Sequence, residues 1–204
     1  MYHLMDCFGH FPMREYTETD YSKLPVILER EQALSRIITE LETIIPQLKE
    51  KGEVPYGRIT KAAAQLLLAK VYLNYQVYTG TAPTFADGQS KWTETIDLCD
   101  DIIGSGKYTL STDFWKLYLA DNQKESDATE TILPIIFYNA IGLKGIPWLN
   151  ITLHYNQKFG SFTSIWNGCC TTPTFLATWD TTDPRYQDNR LKSQIGFNLG
   201  ILVG

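Results

Sequence analysis

The chain has 204 residues, a formal net charge of -5, 44% apolar residues and 20% charged residues. This composition is typical of a globular protein, and the length suffices for one domain or one and a half. The charges are spread along the chain without a basic stripe, which argues against nucleic-acid binding. The sequence contains neither an apolar run long enough to span a membrane nor the charged and apolar regions of a signal peptide.

Cysteine and histidine spacing gives no support for a metal site. The four cysteines, Cys7, Cys99, Cys169 and Cys170, include no C-x-x-C pair, and the three histidines are far apart in sequence. We therefore expect neither a metal ion nor a cofactor. Both termini fall inside apolar or helix-like runs, and we expect the chain to be a piece of a longer protein.

A first amphipathic helix is predicted over residues 29–50. Its apolar residues recur at steps of three and four from Leu34 to Leu48. Gly52 is expected to end it.

Two further helices are predicted over residues 58–78 and 91–103. Thr60 is expected to cap the first of these, and Ser90 or Thr93 the second. The alanines of the first would let another helix approach closely. Its apolar stripe is assigned to Leu66, Leu67, Val71 and Leu73. The two helices together have the size of a tetratricopeptide-type hairpin.

Regular periodicity fades in the second half of the chain. A short apolar run at 130–138 predicts a buried strand or extended segment, and 173–179 predicts a short helix. We therefore expect a mostly α fold with a helical region at 1–119. A loop-rich region at 120–204, with short extended segments, would carry ligand binding, both regions belonging to one larger domain.

The stretch 137–179 contains nine aromatic residues and no carboxylate. Its rings are separated by Gly, Asn, Thr, Ser and Pro rather than by the spacing of a helix or strand. Such a stretch suits an uncharged ligand with apolar faces and hydroxyl edges, of which a sugar is the commonest. From composition alone, the core of a loop-rich region is the favoured role for these rings, because most aromatic residues are core.

Catalysis has little support in the sequence. Paired carboxylates for glycoside hydrolysis would have to come from Asp180, Asp183 and Asp188. The first two lie in a polar turn that ends at Arg185, where Asx-type backbone bonds and an Asp–Arg pair are the usual arrangement. We therefore do not expect an enzyme.

Several segments carry a family likeness. They are Phe11-Pro12-Met13-Arg14-Glu15-Tyr16, Gly57-Arg58-Ile59-Thr60-Lys61-Ala62-Ala63-Ala64, Leu68-Ala69-Lys70-Val71-Tyr72-Leu73-Asn74, Gly106-Lys107-Tyr108 and Trp166-Asn167-Gly168. Together they resemble the SusD/RagB family of outer-membrane nutrient-binding lipoproteins. The second and third segments are the most specific part of the likeness.

The resemblance implies a helical fold of tetratricopeptide-like hairpins whose loop-rich region holds glycans without cleaving them. It also implies a bacterial cell-surface location through a lipid anchor, and a SusC-like TonB-dependent transporter as partner. Family members are more than twice as long as this chain and begin with a signal peptide and a lipid-carrying cysteine. We expect the signal and the anchor to lie outside this chain.

The predicted ligand-binding residues are aromatic side chains that could stack on sugar rings and asparagines that could bind sugar hydroxyls. Trp148 comes first because it follows the turn Gly145-Ile146-Pro147, which would present it at a surface. The complete predicted set is Trp148, Tyr155, Trp166, Phe159, Asn150 and Asn156. The alternative is a helical-repeat module that binds a protein and uses the aromatic residues as core. Full burial of Trp148, Tyr155 and Trp166 would favour that alternative.

Overall fold

The computed structural model describes residues 1–113, 116–117, 128–136, 151, 166, 168 and 172–183. The chain divides into two compact units, Met1–Ile136 and Phe137–Gly204. The division at residue 119 and its assignment to two regions of one larger domain stay predictions.

The described residues are mostly α-helical, as predicted. In chain order the elements are α1 (Tyr2–Phe8), β1 (Phe11–Met13), β2 (Val26–Leu28), α2 (Arg30–Ile44), a 3-10 turn (Ile45–Gln47), α3 (Lys61–Leu73), α4 (Tyr75–Thr79), α5 (Trp92–Gly104), a second 3-10 turn (Ala128–Glu130) and α6 (Pro173–Leu176). The strands β1 and β2 pair antiparallel, with Phe11 opposite Leu28 and Met13 opposite Val26. This two-stranded sheet was not predicted.

Helix α2 begins where the sequence predicts and ends earlier. A capping box forms at its start, where the side chain of Glu29 accepts from the backbone of Gln32 and the side chain of Gln32 accepts from the backbone of Glu29. The prediction of a helix to residue 50 is wrong at its end. Pro46 has no backbone N–H to continue the helical ladder, and the chain tightens there into a 3-10 turn.

Helix α3 begins at the predicted cap. The Thr60 hydroxyl oxygen accepts a hydrogen bond from the Ala63 N–H at 3.4 Å. The single helix predicted to residue 78 is instead divided into α3 and α4. Asn74 lies between them, where its side-chain amide donates to the Lys70 carbonyl at 2.9 Å and satisfies the end of α3.

The alanine-rich face of α3 is buried, and α3 packs extensively on α5. Its buried residues are Ala62, Ala63, Ala64, Gln65, Leu68, Ala69, Val71 and Tyr72. The predicted stripe is wrong for Leu66 and Leu73, which are exposed. The small alanine side chains leave room for a neighbouring helix, so the buried face follows them rather than the largest apolar residues.

One core holds the first unit together. It consists of Met5, Phe11, Ala33, Leu34, Ile37, Leu41, Ala64, Leu68, Val71, Tyr72 and Tyr78. Helix α1 closes one end of this core and stops at Gly9, whose φ of 74° suits glycine. The Tyr78 hydroxyl donates to Asp6 Oδ1 at 2.6 Å and ties α4 to α1.

The loop between α4 and α5 is ordered by polar bonds. The Thr81 N–H donates to Asp87 Oδ1 at 2.7 Å, and the Gln89 N–H donates to the Thr79 hydroxyl at 3.0 Å. A side chain at Gly88 would collide with the Gln76 carbonyl, so glycine permits the close approach of the two backbones.

Residues 128–136 contact the segment that connects α2 to α3. The Lys51 ammonium donates to the Thr129 carbonyl at 2.6 Å and lies 4.5 Å from the centroid of the Tyr108 ring. Burial lowers the pKa of Lys51. For this run a buried strand or an extended segment was predicted. Its described part contains no strand and exposes Leu133 and Ile135, so the buried-strand alternative is wrong there.

Candidate functional site

Of the predicted ligand-binding residues, the structure describes Trp166. Its side chain is 53% exposed, so part of the indole can be reached from solvent. Trp148, Asn150, Tyr155, Asn156 and Phe159 lie outside the described residues.

A backbone hydrogen bond positions the segment that carries Trp166. The Gly168 N–H donates to the Ile151 carbonyl at 2.7 Å. A Cβ added to Gly168 would lie 3.3 Å from Ile151 Cγ2, which is tighter than an ordinary contact. The glycine therefore lets the backbone approach Ile151 closely, two residues from the exposed indole.

An aromatic pair, Phe175 and Trp179, lies on and just after α6. Thr172 caps this helix, its hydroxyl oxygen accepting from the Phe175 N–H at 3.2 Å. Phe175 and Trp179 meet edge to face, with ring centroids 5.8 Å apart and planes at 88°. Phe175 is 57% exposed while Trp179 is half-buried, so the outer ring is supported by the inner one.

The predicted ligand-binding set does not include Phe175 and Trp179. Their spacing of four residues, in a segment predicted to be helical, is the signal that could have paired them. Spacing does not tell which ring of such a pair faces solvent.

The acidic turn after α6 has the Asx-type geometry that the sequence predicts. The Thr182 N–H and hydroxyl both donate to Asp180 Oδ1, at 2.8 Å and 2.6 Å. The hydrogen bonds from Thr182 hold the pKa of this carboxyl below its ordinary value. Asp180 thus stays ionised and organises the turn, whereas a general acid would require a raised pKa. Arg185 and Asp188 lie outside the described residues.

Two tyrosines of the helical unit Met1–Ile136, Tyr72 and Tyr78, are buried in its core. The Tyr72 hydroxyl donates to Glu42 Oε1 at 2.7 Å, and the Lys91 ammonium lies 4.7 Å from the Tyr72 ring centroid. Burial, together with the bond to Glu42, raises the pKa of Tyr72. These groups border a cleft of about 400 Å³ between α2 and α4. Lys91 already occupies the ring face, which leaves little room to stack a sugar there.

A larger cleft of about 570 Å³ lies between the start of α3 and the end of α5. Its wall mixes both signs of charge, with Lys61 ion-paired to Glu50 at 3.3 Å. Gln65 is buried at this wall, and its amide donates to Asp101 Oδ2 over a long 3.5 Å. Aromatic rings are absent from the lining residues that the structure describes, and these residues offer no surface for sugar stacking.

The residues that the structure describes contain no group of three or more His, Cys, Asp or Glu side chains placed to hold a metal ion. Within the same residues, no helix combines the length and the apolar character required to cross a membrane.

No protein-family model matches the chain. The sequence is, however, similar to that of a curated protein, the starch-binding protein SusD of Bacteroides thetaiotaomicron. The two are 35% identical over 135 residues, which is 66% of this chain. The chain is SusD-like. The match covers 22% of the length of SusD.

The SusD-like assignment agrees with the mostly helical character of the described residues. The short span of the match means that the activity of the whole protein, its ligand and its partners are matters of proposal.

Proposed function

We propose that the full-length protein binds a neutral glycan at the bacterial outer-membrane surface, holds it without cleavage and delivers it to a SusC-like TonB-dependent transporter. The similarity to a starch-binding protein carries this proposal. A lipid anchor outside this chain would hold the protein at the membrane.

The chemistry of the second unit supports a neutral ligand. The stretch 137–179 contains no carboxylate, so an uncharged polymer displaces no water from a strongly hydrated anion there. The half-exposed Trp166 offers an aromatic face on which a sugar ring can stack. We therefore keep Trp148, Tyr155, Phe159 and Trp166 as proposed stacking residues, with Asn150 and Asn156 as proposed hydroxyl partners.

The exposure of the Trp166 indole also tests the alternative function, a helical-repeat module that binds a protein and uses the aromatic residues as core. That alternative is favoured if Trp148, Tyr155 and Trp166 are all fully buried. Trp166 is not fully buried, so this condition is not met. The glycan proposal is the one that gives its exposed face a role.

A panel of soluble polysaccharides tests the function directly. Calorimetric titration of the purified full-length protein with amylose fragments, other neutral glucans, mannans and a polyuronic acid should show binding to a neutral polymer and none to the acidic one. SusD is a starch-binding protein, so amylose fragments are the first probe. A folded protein that binds none of these neutral polymers would contradict the proposal. Reducing-end assays should show no cleavage.

A further inference from the structure

The loop between α4 and α5 contains the Asp-Gly pair of this sequence, Asp87-Gly88. An Asp-Gly bond is chemically fragile, because glycine has no side chain to shield its backbone nitrogen from the neighbouring carboxyl group. The residue that follows every other aspartate of the sequence is larger than glycine. Asp87 is also exposed, so water reaches its carboxyl group. Among the aspartates, Asp87 is therefore the one at which the sequence favours isoaspartate formation.

Isoaspartate forms in two steps that need only water. The Gly88 nitrogen gives up its proton and attacks Asp87 Cγ, where a C–N bond forms, a C–O bond breaks and water departs to leave a cyclic imide. Water then attacks the main-chain carbonyl carbon of Asp87 and breaks its original bond to Gly88. The main chain now runs through the Asp87 side chain and is longer by a methylene group, with no atom gained or lost overall.

The folded loop opposes the first step at both reacting groups. The Thr81 N–H donates to Asp87 Oδ1 at 2.7 Å and fixes the carboxylate. The hydrogen bonds from Thr81 hold the pKa of the Asp87 carboxyl below its ordinary value, and an ionised carboxylate does not readily lose water. The Gly88 N–H donates to the Phe85 carbonyl at 3.2 Å, so the attacking nitrogen is already engaged. The closed loop therefore slows ring closure.

The backbone around Gly88 leaves no room to rearrange while the loop is closed. A Cβ at Gly88 would collide with the Gln76 carbonyl, and one at Gly80 would lie 2.7 Å from the Phe85 carbonyl oxygen. Phe85 itself has a φ of 53°, which an aromatic residue rarely adopts. Glycine is thus required at position 88, although it makes the bond to Asp87 reactive.

We propose that Asp87-Gly88 is a site of spontaneous isoaspartate formation in the native protein, and that opening of the loop between α4 and α5 sets its rate. Loops open locally at a lower free energy than the whole unit unfolds. The added methylene group displaces Gly88 from the Gln76 carbonyl, so the modified loop cannot close in its original form. The reaction converts a transient opening into a permanent one. The proposal concerns the helical unit and does not depend on glycan binding.

Peptide mapping of incubated full-length protein measures the modification. One sample is kept folded at neutral pH and the other is unfolded in guanidinium chloride, and isoaspartate at Asp87 is quantified after chromatographic separation of the proteolytic peptides. We expect it in both samples, accumulating more than about tenfold more slowly in the folded one. Equal rates would overturn the proposal. Folded protein without isoaspartate at Asp87 after about a hundred half-times of the unfolded reaction would overturn it too.

Matched variants test whether loop opening sets the rate. The Thr79 hydroxyl accepts from the Gln89 N–H at 3.0 Å and donates to the Tyr75 carbonyl at 2.9 Å. Thr79→Val removes both bonds and should speed modification of the folded protein roughly threefold to tenfold, without changing the unfolded rate. Thr95→Val is the control, because the Thr95 hydroxyl makes the same kind of helical bond to the Lys91 carbonyl. Circular dichroism establishes that both variants are folded, and equal folded rates would contradict control by the loop.

Asp87→Asn gives an independent readout by mass. Asparagine loses ammonia in the same ring closure, and hydrolysis of the ring then leaves an acid in place of the amide, which raises the mass of the peptide. Because this reaction needs the same opening of the loop, the folded variant should deamidate more than about tenfold more slowly than the unfolded variant. A folded variant that deamidates as fast as the unfolded one would overturn the proposal.

Discussion

The two units differ in the groups that surround their aromatic side chains, although both expose rings to solvent, such as Trp92 in the first and Trp166 in the second. In Met1–Ile136, Tyr72 and Tyr78 are buried, and each donates its hydroxyl to a carboxylate. In the described part of Phe137–Gly204, Trp166 and Phe175 keep more than half of their surface exposed. The aromatic stretch 137–179 there has no carboxylate at all.

The contrast separates rings that build a scaffold from rings that can meet a ligand. A buried tyrosine contributes apolar area and needs a polar partner for its hydroxyl. An exposed indole keeps apolar surface in contact with water, and a bound ligand that covered this surface would be stabilised by it. Exposure and the surrounding charges therefore distinguish the two uses better than residue type does.

The largest expected effect concerns the core of the helical unit. Replacing Leu68 by alanine should lower the free energy of unfolding by about 3 kcal/mol, because a buried leucine leaves a cavity. Leu66→Ala on the same helix is the control, since Leu66 is exposed, and should cost less than about 1 kcal/mol. Urea unfolding followed by circular dichroism measures both. Similar losses for the two variants would mean that α3 does not bury the face described.

A smaller effect is expected at the start of α3. Thr60→Ala should cost about 1 kcal/mol, because the hydroxyl oxygen satisfies the Ala63 N–H. Thr93→Ala is the matched control: Thr93 was a predicted start of α5, yet that helix begins after Lys91 without a side-chain cap. Thermal unfolding should separate the two variants. A larger loss for Thr93→Ala would reverse the assignment of the caps.

The sequence predicted the start of α3 because Thr60 and the alanines act locally, through a cap and through helix propensity. It missed β1 and β2 because three-residue strands, one of them containing Pro12, show no alternation to detect. It placed Leu66 and Leu73 in the buried stripe because the face that packs depends on the neighbouring helix. At the site, the pattern singled out aromatic residues, but exposure depends on tertiary contacts that a sequence does not display.

A still smaller effect on the free energy of unfolding should appear at high pH. The pKa values of Tyr72 and Tyr78 are raised above their ordinary range, first by burial and then by hydrogen bonds to Glu42 and Asp6. The neutral forms are therefore stabilised in the folded state, and this stability is complete below about pH 10 and is lost as the pH rises above it.

The unfolding midpoint in urea, measured at about pH 8 and about pH 11, tests that dependence. The native protein should lose more stability across this interval than a variant with both Tyr72→Phe and Tyr78→Phe. An equal fall in the two proteins would show that these hydroxyls are not buried in the way described.

The central claim is that the exposed indole of the second unit meets the glycan while exposed rings of the helical unit do not. Trp166→Ala and Trp92→Ala form the direct comparison, since the two side chains are 53% and 56% exposed. Calorimetric titration of each full-length variant with the polysaccharide that binds the native protein best is the measurement. We expect Trp166→Ala to lose about 1–2 kcal/mol of binding free energy, roughly tenfold in affinity, and Trp92→Ala to lose none. Unchanged affinity in Trp166→Ala, or an equal loss in both variants, would contradict the account.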